Sequence, residues 1–233
     1  MKPFRTLTLC AFAATSLLAA DVDKSDVSST RNRLQESAAV FREIMETPDK
    51  GIPQDLLERA HCIAVIPGMK KGAFIVGAKY GKGFISCRKV HRSGWSAPGA
   101  VRVEGGSFGF QIGGSETDVI LLVMNSRGAD RLLGSKFTLG AEGTVAAGPV
   151  GRTAVAETDA RMTAEILSWS RSRGVFAGIA LQGATLREDL DDNAAMYGSR
   201  LSNREIVDKK RATPVGAAPL LRLLNKYSPR ELK

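Results

Sequence analysis

Apolar positions along this chain recur with two periods. Between residues 30 and 45 they fall at Leu34, Ala38, Phe41 and Met45, spacings of four, three and four that share one helix face. Arg31, Arg33, Arg42 and Glu43 lie off that stripe, and Pro48 disfavours helical geometry at Thr47, so the spacing predicts a helix over 30–45. Pro53 suits the first position of a second, short helix running through Arg59, with Leu56, Leu57 and Ala60 as its apolar residues. From Cys62 onward the pattern changes to short apolar runs between Gly, Pro and Lys. Cys62–Ile66 is stopped by Pro67-Gly68, Ala73–Lys79 follows two lysines, Phe84–Cys87 sits behind Gly81-Lys82-Gly83, and Val101–Val103 leads into Gly105-Gly106. Runs of this length between such breakers read as strands joined by tight turns.

The second half continues in the same manner. Val119–Met124 is the most hydrophobic run and reads as a central, fully buried strand; Ser126–Leu133 reads as a helix capped by Ser126 and ended by Gly134. Phe137–Ala147 and Thr153–Thr158 read as strands flanking a bend at Gly148-Pro149, and Glu165–Ser170 with Val175–Gln182 as a hairpin around Ser172-Arg173-Gly174. Helices are expected over Asp189–Tyr197, ended by Gly198, and over Asn203–Lys209. Pro214 and Pro219 mark a linker, and Leu220–Tyr227 reads as a last amphipathic turn or two. Strand-to-strand spacings are too short for βαβ crossovers. The expected fold is therefore α+β: a largely antiparallel, glycine-rich sheet or barrel-like core, an N-terminal amphipathic helix and short flanking helices.

Composition narrows the class. The 233 residues suffice for one large domain, hydrophobic content is 43%, and 24 glycines with 6% aromatics suit a sheet with tight turns. Residues 1–20 have the form of a secretory signal peptide: Lys2 and Arg5, then an uncharged run from Leu7 to Ala20 ending in small residues. The expected organisation is a signal peptide over 1–20, a loose polar stretch over 21–29, one domain over 30–210 and a tail over 211–233. Cys10 is discounted as an acylation site because Leu9 is too bulky before it. Net charge is +9, or +7 without residues 1–20, an excess that favours anionic partners. Nucleic acid is disfavoured, since aromatics are few and the basic residues form no recognition helix. Export would permit a disulfide between Cys62 and Cys87; two buried thiols are the alternative.

Candidate chemistry is sparse. Gly105-Gly106-Ser107-Phe108-Gly109 fits G-x-S-x-G, but that nucleophile elbow needs a strand-to-helix turn with Asp and then His following. His61 and His91 both precede Ser107, so a serine hydrolase is disfavoured. His61, Cys62 and Cys87 lack the spacing of a zinc site. Asp189, Asp191 and Asp192 are weak candidates for a metal, without the calcium-loop grammar; carboxylates at a helix start explain them as caps. No nucleotide or other cofactor motif is present.

The segments Ile63–Gly83, Trp95–Gly114, Asp118–Asn125 and Asn193–Gly198 (NAAMYG) together resemble the SYLF domain family, over about Leu34 to Gly198. The resemblance implies a non-catalytic lipid-binding module. Basic residues at the expected turns, Lys70, Lys71, Lys79, Lys82, Arg88 and Lys89, would then meet anionic phospholipid headgroups. Arg31, Arg33 and Arg42 around Leu34 and Phe41 match the basic amphipathic helix associated with lipid binding in eukaryotic relatives. With the leader, this implies an exported bacterial envelope protein held peripherally at a membrane. The rival reading is a self-associating scaffold with homo-oligomer or envelope protein partners, its strand edges open to pairing.

Overall fold

A computed structural model describes residues 23–47, 51–74, 76–89, 94–108, 113–141, 145–149, 164–172, 175–178, 181, 183–209 and 211–229. The expected signal peptide, Thr153–Thr158 and His91 lie outside them.

The first helix, α1, spans Lys24–Glu46, and Asp23 caps it by accepting from the Ser25 N–H. Helix thus begins inside the stretch expected to be loose, because a side-chain cap matters more at a helix start than the polarity of the first turns. The short α2 (Gln54–Arg59) follows, with Pro53 as its N-cap residue. Strands β1 (Cys62–Phe74), β2 (Val76–Cys87), β3 (Gly99–Phe108) and β4 (Gly113–Val123) form the centre of the sheet. Then come α3 (Ser126–Leu132), β5 (Lys136–Thr138), β6 (Val145–Ala147), β7 (Ile166–Ser172), β8 (Val175–Gly178) and β9 (Thr185–Glu188). Three helices close the chain: α4 (Leu190–Tyr197), α5 (Asn203–Asp208) and α6 (Ala218–Tyr227). The cap of α3 is Asn125, which accepts from Gly128, one residue before the expected Ser126.

Strand order is β5-β9-β3-β2-β1-β4-β7-β6, with β8 beside β7. Every pairing is antiparallel except that of β6 with β7. This is the α+β architecture expected from the sequence. The turns, however, fall elsewhere. Pro67-Gly68 does not end a strand; it forms a bulge within β1, where the register to β4 shifts between Ile66 and Met69. Gly68 takes a positive φ of 56°, and its N–H donates to Asp118 Oδ1 at 2.9 Å. The run 73–79 is not one strand, since within it Phe74 of β1 pairs with Val76 of β2. Gly81-Lys82-Gly83 and Gly105-Gly106 are strand interior, not turns.

Alternation along β1 and β4 divides two cores. Cys62, Ala64, Ile66, Val119, Leu121 and Val123 face one side, where Val101, Phe137, Leu139 and Leu186 join them. Ile63, Val65, Ile120 and Leu122 face the other and meet Phe41, Ile44, Leu57, Trp95, Trp169, Leu220 and Leu224. The α1 stripe is therefore core: Leu34, Phe41 and Ile44 are fully buried. Residues 218–227, grouped with a tail in the sequence reading, pack on α1, with Phe41 and Tyr227 in edge-to-face contact at 6.4 Å.

Candidate functional site

The basic residues singled out from sequence separate into groups when placed on this frame. Lys71 and Lys79 are direct register partners across β1 and β2, and the strands outside them contribute Ser115 and Gly105 to the same row. Side chains directly opposite in a sheet approach to about 5 Å, so this row sets two like charges side by side with no carboxylate in it. Burial and then the Lys79 charge push the Lys71 ammonium below its ordinary pKa. Among the described residues neither lysine forms a salt bridge with a carboxylate. Alternation puts this row on the face that carries Met69. Lys70 projects from the opposite face, in a row with Tyr80 and Glu116.

Lys82 and Arg33 are engaged internally. Lys82 Nζ lies 2.8 Å from Asp189 and 3.0 Å from Asp192, and Arg33 pairs with Asp192 from α1. Burial pushes the Asp189 carboxyl up, but hydrogen bonds from Lys82 and the Asp192 N–H, and the charges of Lys82 and Arg102, pull harder and hold it below the carboxylate range. Lys82 shifts the opposite way: burial lowers it, and both aspartates raise it further. Asp189 also caps α4, and Asp191 pairs with Arg200 at 2.6 Å. All three aspartates weighed as metal ligands thus serve as cap and ion-pair partners, and no metal cluster occurs among the described residues.

Arg88 is only 8% exposed. Its Nε donates to the Ala60 carbonyl at 2.9 Å, and Nη2 donates to the carbonyls of Leu57 and Glu58 and to Ser228 Oγ at 2.7 Å. Its guanidinium stacks 4.7 Å from the Trp95 ring centre. Arg88 thus caps α2 and ties it to Ser228 at the end of the last described helix. Lys89 is exposed and lines a groove of about 530 Å³ with Trp95, Arg222 and Asn225. Arg31 and Arg42 are exposed on α1. That helix carries four cations (Lys24, Arg31, Arg33, Arg42) and four acids (Asp26, Glu36, Glu43, Glu46), so it is neutral, and its apolar stripe is occupied by the core.

The other chemistry examined from sequence resolves structurally. Ser107 lies on β3, paired with Gly77, and β3 is followed by β4, a strand where a nucleophile elbow needs a helix. Cys62 and Cys87 face each other across β1 and β2 and form a disulfide in the core, so neither is a thiolate ligand. The Asn193–Gly198 segment is a fold device that sequence reasoning did not assign. Asn193 Oδ1 accepts from the Ala100 N–H at 2.7 Å, its Nδ2 donates to the Leu201 carbonyl and to Asn203 Oδ1, and Tyr197 donates its hydroxyl to the Pro98 carbonyl at 2.6 Å. Burial pushes the Tyr197 hydroxyl far above its ordinary pKa, and Gly198 ends α4 at φ 72°.

Residues 104–227 match a family model described as "Las17-binding protein actin regulator", Ysc84. The chain is 31% identical over 207 residues to an SH3 domain-containing YSC84-like protein 1 of Rattus norvegicus, covering 86% of this chain and 60% of the relative. It is 32% identical over 206 residues to Protein YSC84 of Saccharomyces cerevisiae, covering 84% of this chain and 43% of that protein. The chain therefore spans about 60% or less of these relatives' length, and neither is named as an enzyme. With the family model covering more than half the chain and the four signature segments in order, the chain belongs to the Ysc84 family, whose shared module is the SYLF domain.

Proposed function

We propose that this chain is a non-catalytic module that binds anionic phospholipid at a membrane surface. One observation carries the reading: Lys71 and Lys79 stand paired on the sheet with no acid in their row, and Lys71 is held below its ordinary pKa. Two like charges held together without a counter-ion are unfavourable alone and gain when an anion arrives. A phosphodiester headgroup layer supplies such anions, at about 1 kcal/mol per lysine. The α1 helix takes no direct part, because its apolar stripe is buried and its charges balance. Lys89 and Lys70 add positive charge at other points of the surface.

The membrane is proposed to be that of a bacterial envelope, reached by export. The leader-like residues 1–20 and the Cys62–Cys87 disulfide support this reading, since disulfides persist in oxidising compartments. A second reading, a protein-binding role, draws on the family description as a Las17-binding actin regulator.

Vesicle co-sedimentation of the chain decides between them. Neutral vesicles are compared with vesicles carrying phosphatidylglycerol or cardiolipin, at low and high salt. Expected is binding to the anionic vesicles alone, weakened by salt, and weakened about 30-fold in a Lys71→Gln/Lys79→Gln double variant. The same double variant should be no less stable than the parent, since it removes a repulsion. Absence of binding to any vesicle at low salt would reject the lipid reading and favour a protein partner.

A further inference from the structure

Helix α6 has an inner and an outer face. Leu220 and Leu224 are buried in the core with Phe41. Ala218, Leu221, Arg222 and Asn225 fall at i, i+3, i+4 and i+7, so they share another face, and they form one wall of the groove of about 530 Å³. At 1.5 Å per residue that wall runs about 10 Å. The other residues lining the groove are Lys89, Gly94 and Trp95, between β2 and β3, and Thr213 of the linker before α6. Lys89, Trp95 and Thr213 also line a smaller recess of about 160 Å³, to which Arg211 and α5 contribute. Groove and recess are therefore adjoining parts of one cleft.

The cleft carries charge of one sign. Arg211 lies in the recess, Lys89 where the two parts meet, and Arg222 in the open groove, and no Asp or Glu occurs among the described residues lining either part. All three cations are exposed, and among the described residues none of them forms a salt bridge with a carboxylate. Between the cations the lining is neutral, with Leu221 and Ala218 as apolar surface. One small anion would engage one of these cations. Cations strung along a connected cleft, with apolar surface between them, match a ligand that carries several anionic groups and apolar groups in alternation. An acidic peptide has that form: in an extended chain, acids at alternate positions project on one side about 7 Å apart. Basic clusters are a recurring means of recognising acidic motifs. A peptide can also follow a cleft, which a flat headgroup layer cannot. A second copy of this chain is disfavoured as occupant, because its net charge is +9.

We propose that this cleft beside α6 binds an acidic peptide segment of a protein partner, with Arg211, Lys89 and Arg222 meeting its carboxylates and Leu221 an apolar side chain between them. The site stands apart from the lysine pair of the phospholipid reading and does not rest on that reading. From Lys79 to Cys87, β2 runs roughly 26 Å, and Lys89 lies beyond its end.

The test uses the full chain and a short fluorescein-labelled peptide alternating glutamate and leucine. Fluorescence anisotropy compares it with matched peptides carrying glutamine or lysine in place of glutamate. Only the acidic peptide should bind, and more weakly as salt rises. Arg211→Gln and Arg222→Gln should each weaken binding about fivefold. Thr213→Glu sets a negative charge in both parts of the cleft and should weaken it about tenfold or more. These three sites are exposed, so thermal stability should stay at the parent value. The Lys71→Gln/Lys79→Gln variant should bind the peptide as the parent does, and Arg211→Gln/Arg222→Gln should leave binding to phosphatidylglycerol vesicles unchanged. Equal losses of peptide binding in the two double variants would reveal attraction to diffuse positive charge and overturn the site, as would no binding of the acidic peptide at low salt. Loss of vesicle binding rather than peptide binding in Arg211→Gln/Arg222→Gln would make the occupant a headgroup. Concentration-dependent dimerisation abolished by Arg222→Gln would make it a second copy. Either result overturns the proposal.

Discussion

Arg88 and Asp189 show how far a charged residue's role depends on its partners. Both belong to polar stretches when read as sequence, and both are buried. Arg88 donates to the carbonyls of Leu57, Glu58 and Ala60 at the end of α2, which a planar guanidinium does better than an ammonium. Asp189 holds Lys82, and the two shifts have opposite pH consequences. A carboxylate depressed on folding contributes stability that is fully present above its unfolded pKa of about 3.9 and is lost as pH falls through the folded value. A lysine raised on folding contributes below its unfolded value of about 10.4 and loses that contribution as pH rises through the folded one. Asp189→Asn should therefore cost about 2 kcal/mol at pH 7, the scale of a hydrogen bond to a charged group, and the gap to the parent should narrow as pH drops below about 4. Urea unfolding at pH 7 and across pH 5 to 3 checks this; parallel pH profiles for the two chains would rule out the carboxylate's role.

At the scale of elements, β1 and β2 are two strands with two environments each. Their inner halves are locked against neighbours. A Cβ placed on Gly83 would lie 2.1 Å from the Val65 carbonyl oxygen and 2.7 Å from Ile66 Cα, backbone atoms that cannot yield. This close approach sits beside the β1 bulge, where the register to β2 shifts between Val65 and Lys70. Farther along β1, a Cβ placed on Gly72 would meet nothing within 4 Å. Gly83→Ala should lose about 3 kcal/mol or fail to fold, whereas Gly72→Ala should stay within about 0.5 kcal/mol of the parent. Equal effects in thermal unfolding would contradict the contrast between the tight site at Gly83 and the open one at Gly72. The same contrast explains why the turns were misread. Pro67-Gly68 and Gly81-Lys82-Gly83 carry turn chemistry, but here they serve a bulge and a close strand contact, two other uses of the same residues.

Across the described molecule, the first and last helices are fastened to each other and to the sheet. Leu220 and Leu224 of α6 are buried with Phe41 and Ile44 of α1, and Ser228 joins Arg88 and Leu57. Arg171 of β7 pairs with Glu43 of α1 and with Asp118 of β4. A chain ending at residue 217 would uncover the Phe41 face and orphan part of the Arg88 network, so it should unfold well below the parent temperature and bind a hydrophobic dye. Retention of parent-like thermal stability would show α6 to be dispensable. Because α1 is shut into this assembly, its apolar stripe is not open to solvent.

The sequence by itself determined the class of fold and most of its elements, because periodicity reports which face of an element is buried whatever it packs against. It determined the buried strand at Val119–Val123, the hairpin that begins at Ile166, and the α4 helix stopped at Gly198. Its four separated signature segments determined the family. Which charges are paired depends on the tertiary structure. Nine basic residues looked alike as candidates; in the fold Lys82 and Arg33 pair with Asp192 across 110 and 159 residues, and Arg88 is buried with Ser228. Such partners are set by which elements meet in space, and local spacing carries no record of that.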